Sequence, residues 1–181
     1  TNSDIERVMI KGESGFLAVC HKSDKTYAGV ELGMPDWSPT KRTITWANGA
    51  TITFFSAEEP ERLRGPQGDF AWCDELCAWN RDRDTWQMLS FCLRLGKHPQ
   101  TCITTTPKPT KLIRDIIKNP KTIVTSGSTF DNEANLAETY IQSVKTEYEG
   151  TRIGRQELYA EILDEVSGAL WTRDMLSKAE I

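Results

Sequence analysis

The sequence predicts an α/β fold, with helices flanking a mostly parallel sheet and with one β-hairpin. From residue 70 onward, short β-rich runs alternate with helical patterns, which is typical of parallel strands joined by right-handed crossovers. Two earlier runs flank Asn48-Gly49, the kind of dipeptide that indicates a tight hairpin turn. The apolar run 70–73 ends on Asp74 and Glu75. Because ligands of open α/β sheets bind at the carboxyl ends of strands, this acidic strand end is a candidate binding site.

Composition and charge restrict the class of protein. With 181 residues and 38% hydrophobic content, the chain can bury one sizeable core, and we expect one domain. The formal net charge of −4 disfavours a protein that coats nucleic acid by bulk charge. No apolar run has the length of a membrane span or a signal-peptide core, so we expect a soluble protein without membrane contact.

The cysteines favour a reducing environment. There are five of them, an odd number, and no two stand in a C-x-x-C pair. We expect free thiols, three of them inside core elements. Neither His21 nor His98 stands in ligand spacing with a cysteine, so we expect no zinc site.

The N-terminal part is predicted to contain a short helix and the hairpin. Ser3 can cap a helix over residues 4–10, and a glycine-containing break follows it. The runs 43–46 and 50–55 are predicted to pair across the Asn-Gly turn. Residues 34–39 contain two prolines and are predicted to form a surface loop.

The next part is predicted to be strand, helix, strand. Residues 70–73 indicate a strand buried on both faces. Asp84 can cap a largely buried helix, with Gln87 three residues further on and Gly96 closing it. Residues 101–106 are predicted to form the neighbouring parallel strand.

The rest of the chain is predicted to continue the alternation of helices and strands. The predicted elements are a helix over residues 111–118, a strand over 122–125, a helix capped by Asn135 with Glu138 and closed by Gly150, a helix over 152–163 and a short last helix after Thr172.

The acidic strand end has the character of a Walker B motif. Asp74 can supply a hard oxygen ligand to phosphate-bound Mg²⁺, and Glu75 can orient or deprotonate an attacking water. Thr104, Thr105 and Thr106 end the next strand, where their hydroxyls can reach a γ-phosphate or that water. This pairing predicts nucleotide hydrolysis. The alternative is a solvated acidic loop beside threonines that serve only as β-formers.

An arginine lies in the loop that leads into the acidic strand. Arg64 stands ten positions before Asp74, and its guanidinium could stabilise charge on a transferred phosphoryl group. Arg62 is the competing candidate. A solvated loop arginine is the alternative for both.

The chain carries short blocks in a fixed order, at residues 58–60, 62–67, 71–75, 104–109, 127–132, 154–158 and 168–171. Together these blocks resemble the ATPase region of the large terminase subunit of tailed phages and prophages, and the similarity spans nearly the whole chain. The resemblance implies a P-loop NTPase fold, RecA-like and of the catalytic-glutamate class. The implied cofactors are ATP and Mg²⁺.

The resemblance also implies roles for individual residues. Asp74 resembles the carboxylate that binds Mg²⁺, and Glu75 resembles the catalytic carboxylate that activates water. The three threonines resemble the coupling motif beside the nucleotide. Arg64 resembles the loop arginine that acts on the nucleotide of a neighbouring subunit.

Further implications concern partners and place. The large terminase subunit pumps double-stranded viral DNA into an empty procapsid and works as a homo-oligomeric ring with the portal protein and the small terminase subunit. We therefore expect the chain in the host cytoplasm, at the procapsid portal. An RNase H-like nuclease domain belongs to the same subunit.

The chain departs from the family pattern at both ends. No G-x-x-x-x-G-K-[ST] occurs in the 181 residues, and the Walker A loop is expected upstream of Thr1. We expect residues 1–166 to be a partial ATPase domain and residues 167–181 to begin the linker toward the nuclease domain. Without the glycine loop and its lysine, phosphate binding is weakened, so we expect little ATP turnover by this chain alone.

Two alternatives stand beside the packaging motor. An Asp-Glu-box helicase also couples an acidic strand to a threonine-bearing one, but it predicts a Ser-Ala-Thr-like end in place of Thr104-Thr105-Thr106. A degenerate prophage remnant would fold or oligomerise without binding nucleotide. A glycine loop encoded in frame upstream of Thr1 would separate the motor from the remnant.

Overall fold

The computed structural model describes residues 5–20 and 33–163. The chain divides into two compact units, one made of Thr1–Ala71 with Trp79–Thr101 and the other of Trp72–Ala78 with Cys102–Ile181. Helices and strands occur together, so the α/β class predicted from the sequence is confirmed. The prediction of one mostly parallel sheet is wrong for the described residues, because three of their strands form an antiparallel sheet and two form a separate pair. In the described ranges the strands are β1 (Asp36–Ser38), β2 (Thr43–Thr45), β3 (Thr51–Thr53), β4 (Phe70–Asp74) and β5 (Gln100–Thr104), and the α-helices are α1 (Phe16–Val19), α2 (Asp82–Cys92), α3 (Lys111–Lys118), α4 (Glu138–Tyr148) and α5 (Arg152–Glu157).

The first unit begins with two short helical segments. A π-helical stretch covers Ile5–Ile10, where the sequence predicts a helix, and α1 follows the glycine-containing break. A Cβ at Gly12 would lie 2.5 Å from the Val8 carbonyl oxygen, which explains why the break needs glycine. The predicted cap, Ser3, lies outside the described residues.

The predicted hairpin is confirmed. Strands β2 and β3 pair antiparallel, with Ile44 opposite Ile52. Gly49 has φ +83°, a left-handed conformation that glycine adopts without a steric cost. The Asn48 side chain closes the turn by accepting a hydrogen bond from the Ala50 backbone N–H at 2.9 Å. The turn residues therefore set the register of the hairpin.

The prediction of a loop at residues 34–39 is wrong in its centre. Asp36–Ser38 forms β1, which pairs antiparallel with β2 and makes the hairpin a three-stranded sheet. Trp37 explains the difference, because its ring packs edge-on against Phe54 with centroids 5.8 Å apart. Phe54 is buried together with Ile44 and Ile10 in the core of this unit. Tertiary burial of the aromatic ring thus recruits a segment whose prolines alone suggest a loop.

Helix α2 differs from its prediction at both ends. It begins at Asp82 rather than after Asp84, and it ends at Cys92 rather than at Gly96. The Asp84 carboxylate forms an ion pair with Arg81 at 2.8 Å, so it does not cap the helix. The prediction of a largely buried helix is also wrong, because Phe91 on the same helix is 63% exposed.

Strands β4 and β5 pair as a two-stranded sheet. Gln100 N–H donates to the Asp69 carbonyl at 3.0 Å where the strands begin, and Thr104 contacts Asp74 where they end. Their matching ends show that the strands run parallel, as predicted. Burial on both faces of β4 is contradicted, since Trp72 is 41% exposed. In the described part of the chain β4 pairs with β5 alone, and a two-stranded sheet has little surface that can be enclosed.

The predicted strand over residues 122–125 does not form. Ile123 is 91% exposed, and the segment has no regular structure. The Thr122 hydroxyl donates to the Ile116 carbonyl at 2.7 Å, and its backbone N–H donates to the Asn119 carbonyl at 2.9 Å. These turn contacts at the end of α3 take the polar groups that a strand would pair with a neighbour.

The helices of the second unit are close to their predicted positions. Helix α3 has the predicted bounds, and α4 begins at Glu138. The predicted cap of α4 is wrong, because Asn135 donates to Asn132 at 2.7 Å at the end of the 3₁₀ segment Thr129–Asn135. Helix α5 ends at Glu157, six residues before its predicted end. The last predicted helix, after Thr172, lies outside the described residues.

The five cysteines are free thiols, and Cys73, Cys77 and Cys92 are buried. In the described ranges no helix has the length and apolar character needed to cross a membrane.

Candidate functional site

The candidate site lies in the second unit, where β4 ends. Two buried side chains, Cys73 and Leu76, flank Asp74 and Glu75 in the sequence and fix the backbone on either side of them. Asp74 is half-buried and Glu75 is exposed. The acidic pair therefore stands at the surface on an anchored stretch of backbone.

Thr104 meets Asp74 at this strand end. The Thr104 hydroxyl donates to Asp74 Oδ1 at 2.8 Å, and the same hydroxyl accepts a hydrogen bond from Trp72 Nε1 at 2.8 Å. Trp72 and Asp74 are two residues apart on one strand, so both side chains point to the same face. The structure thus brings together an acidic residue and a threonine that the sequence predicted to be neighbours.

Thr105 connects the end of β5 to the turn after Glu75. Its hydroxyl accepts a hydrogen bond from the Cys77 backbone N–H at 3.0 Å and donates to the Thr106 carbonyl at 3.1 Å. Cys77 belongs to the 3₁₀ turn Leu76–Ala78. Thr105 therefore ties the threonine segment to the backbone that carries the second carboxylate.

Glu75 has an unusual backbone conformation. Its φ is +50°, in the left-handed region that a residue with a side chain rarely adopts. Ala78 N–H donates to the Glu75 carbonyl at 2.8 Å, which holds the turn in place. Conformations of this kind cost about 1–3 kcal/mol and cluster at functional sites. Arg42 and Ala160 also have positive φ, so Glu75 is a candidate because it combines this conformation with its place beside Asp74 at the strand end.

Burial affects a neighbouring thiol. Burial, and to a lesser extent the nearby Cys102 thiol, raises the pKa of Cys73 to about 12. Cys73 is therefore a neutral core residue at physiological pH and is not a nucleophile.

The donor set fits a metal that is carried by phosphates. In the part of the chain that the structure describes, no three His, Cys, Asp or Glu side chains gather as a metal site of their own. Mg²⁺ bound to nucleotide phosphates needs only one or two protein oxygens, and a carboxylate oxygen of Asp74 is of that kind. Asp74, with its carboxylate held by Thr104, could hold such an ion.

The two candidate arginines lie in the first unit. Arg64 follows the 3₁₀ segment Pro60–Leu63 and forms an ion pair with Glu61. Arg62 forms an ion pair with Glu59 at 2.8 Å. Arg64 also lines a cavity of about 240 Å³ together with Phe91 and Arg94. Both arginine side chains are exposed in the first unit, Arg62 to 54% and Arg64 to 66%.

One residue at the strand end was missed in the sequence. Trp72 is polar as well as aromatic, but the sequence pattern identifies it only as part of an apolar run. The signal that could have found it is its spacing of two from Asp74, which puts both side chains on one face of a strand. The contact itself spans 32 positions along the chain and is not visible locally.

Fold and site together define an α/β protein in which two parallel strands gather acidic and hydroxyl groups at their carboxyl ends. A family model described as "Terminase large subunit, T4likevirus-type, N-terminal" matches residues 6–178. The chain therefore belongs to the family of large terminase subunits, represented by their N-terminal region, as the resemblance implies. No individual curated protein matches the chain. Large terminase subunits act in phage DNA packaging and are in general ATPases.

Proposed function

We propose that this chain is part of the ATP-hydrolysing motor that packages double-stranded phage DNA into procapsids. The observation that carries the proposal is the 2.8 Å contact between Thr104 and Asp74 at the shared end of two parallel strands. Strand ends of this type bind nucleotides in α/β proteins. Membership in the terminase family supports ATP hydrolysis as the reaction at this strand end.

The proposed reaction is hydrolysis of the terminal anhydride of ATP. The water oxygen forms a bond to the γ-phosphorus, the bond from that phosphorus to the bridging oxygen breaks, and ADP and phosphate are the products. Glu75 takes the proton from the attacking water. Asp74 would hold Mg²⁺, which neutralises the negative charge of the phosphates when it is bound.

The other candidate residues have supporting roles in this proposal. Thr104 holds the Asp74 carboxylate. Thr105 and Thr106 lie next to the γ-phosphate in this proposal and couple its hydrolysis to movement of the chain that follows them. Arg64 acts on the nucleotide of a neighbouring subunit, where its guanidinium stabilises charge on the transferred phosphoryl group. Its exposure in the first unit is compatible with reaching a second molecule.

Family membership supports the proposed setting. The chain works in a homo-oligomeric ring at the portal protein of the procapsid, together with the small terminase subunit, in the host cytoplasm. It contacts double-stranded DNA through phosphates and without sequence preference.

A phosphate-release assay tests the proposal. The chain is assayed alone and extended at its N-terminus by its natural upstream coding sequence. We expect little turnover by the 181 residues alone, because they contain no glycine loop with a lysine for the phosphates. The extended chain should hydrolyse ATP, and Glu75→Gln should lower kcat by roughly 100-fold or more, because a general base is removed.

Asp69→Asn is the matched control. Asp69 is an exposed carboxylate just before β4, in the first unit, and its replacement should leave kcat unchanged. Full activity of Glu75→Gln would contradict the role of Glu75. Absence of turnover in the extended chain would contradict the motor and support the degenerate remnant.

A further inference from the structure

Trp72 takes part in the strand-end contacts although its ring is not a core residue. The side chain is 41% exposed, yet its Nε1 lies 2.8 Å from the Thr104 hydroxyl oxygen. Burial of the apolar ring therefore explains only in part why a tryptophan occupies this position. The hydrogen bond from the indole N–H to Thr104 distinguishes tryptophan from other large apolar residues at this position.

The chemistry of the three groups fixes the direction of the hydrogen bonds. An indole N–H can only donate, so the Thr104 oxygen must accept from Trp72. A hydroxyl has a single proton, and the Thr104 oxygen lies 2.8 Å from Asp74 Oδ1. The threonine proton is therefore directed to the carboxylate, and the chain of donors runs from Trp72 through Thr104 to Asp74.

We propose that Trp72 is a positioning residue that orients the Asp74 carboxylate through Thr104. Without the indole N–H, the Thr104 hydroxyl could rotate and its bond to Asp74 would no longer have a fixed direction. Linked hydrogen bonds polarise one another, so the second bond is also weaker without the first. The proposal rests on the proposed function in so far as the oriented carboxylate serves to hold Mg²⁺.

The hydrogen-bond chain is tested by nuclear magnetic resonance of the ¹⁵N-labelled protein. Trp72→Phe identifies the Trp72 indole signal, and Trp46→Phe identifies a control indole in the hairpin. Thr104→Val removes the hydroxyl at constant shape, so the Trp72 signal should shift and its exchange with water should become roughly 2- to 10-fold faster. Thr104→Ser retains the hydroxyl and should restore the wild-type signal, and the Trp46 signal should not change.

The positioning role is tested on the N-terminally extended chain, by Mn²⁺ binding in the presence of a non-hydrolysable ATP analogue, followed by electron paramagnetic resonance. Asp74→Asn should abolish binding at this site. Trp72→Phe and Thr104→Val should each weaken binding roughly 2- to 10-fold, the effect of one hydrogen bond. The double variant should be no weaker than Thr104→Val, because both act through one chain. Trp46→Phe should bind as the wild type does.

The outcomes separate this proposal from the proposed function. An unchanged Trp72 signal in Thr104→Val would overturn the hydrogen-bond chain, whatever the metal does. Mn²⁺ binding that needs Asp74 but is unaffected by Trp72→Phe would overturn the positioning role and leave the proposed function standing. Absence of Mn²⁺ binding to the wild type would contradict the proposed metal site itself. The orientation of the Asp74 carboxylate would then not serve metal binding.

Discussion

At the residue scale, the backbone conformation of Glu75 is expected to lower the stability of the fold at the proposed catalytic position. A side chain in the left-handed region costs about 1–2 kcal/mol, while glycine there costs about 0.5–1 kcal/mol of conformational entropy. We expect Glu75→Gly to raise the free energy of unfolding by about 0.5–1 kcal/mol, measured by urea unfolding. The same variant removes the carboxylate and should abolish hydrolysis by the extended chain.

Ala160→Gly is the matched control, because Ala160 has φ +52° in the same unit and no role in the proposed site. It should gain similar stability and keep full activity. A lower stability of Glu75→Gly would show that the Glu75 side chain makes contacts that outweigh its backbone strain.

Cys73 should make stability depend on alkaline pH. Its folded pKa of about 12 lies above the ordinary thiol value of 9.0, so the unfolded state releases the proton first as pH rises. The contribution of Cys73 is therefore fully present below the unfolded pKa and disappears as pH rises toward the folded pKa, at up to about 1.4 kcal/mol per pH unit. Urea unfolding of the wild type and of Cys73→Ala, from neutral pH into this alkaline range, measures the effect. If the free energies of unfolding of the two proteins had the same pH dependence, the predicted contribution of Cys73 would be contradicted.

Among the elements, α3 depends on its N-cap. The Thr110 hydroxyl accepts a hydrogen bond from the Ile113 backbone N–H at 3.3 Å, and the helix buries Leu112 and Ile113. We expect Thr110→Ala to lower the free energy of unfolding by about 1 kcal/mol, because one helix donor is left without its partner. Thr110→Ser keeps the acceptor and should cost less than half of that. Equal destabilisation of the two variants, measured by urea unfolding, would show that the methyl group matters rather than the cap.

Elements differ in how far sequence alone predicts them. The Asn48-Gly49 turn and the bounds of α3 are correct because turn chemistry and helical periodicity act within a few residues. Strand β1 was missed because Trp37 finds its partner Phe54 only in the folded unit. Residues 122–125 have strand propensity, but the local turn contacts of Thr122 prevail. The strand propensity of a segment is overridden where its polar groups have a competing contact available.

At the scale of the whole molecule, the net charge of −4 means that the proposed contact with DNA needs a local basic surface. Lys108 and Lys111 are exposed at the start of α3, which buries Leu112 and Ile113. We expect wild-type affinity for two unrelated duplexes to be equal and to fall with salt. The logarithm of the binding constant falls linearly with the logarithm of the salt concentration. The double variant Lys108→Ala with Lys111→Ala should make this negative slope shallower, by about 1 for each phosphate that the protein no longer neutralises.

Fluorescence anisotropy measures these slopes, with KCl varied between about 50 and 200 mM, where such binding is strongly salt-dependent. Lys41→Ala is the control, an exposed lysine beside the hairpin in the first unit. A slope in the double variant equal to that of the wild type would exclude this surface as the place where DNA binds.

The sequence by itself determined the α/β class, the hairpin, the acidic strand end and the pairing of Asp74 with the threonine segment. These follow from periodicity, turn residues and the rule that parallel strands share their carboxyl ends, all of which are written in short stretches of chain. Only the tertiary structure decided that Thr104 is the threonine that contacts Asp74, that Trp72 donates to it, and that Glu75 is left-handed. The two Thr104 contacts join residues 30 and 32 positions apart, and their partners are selected by packing that no local pattern encodes.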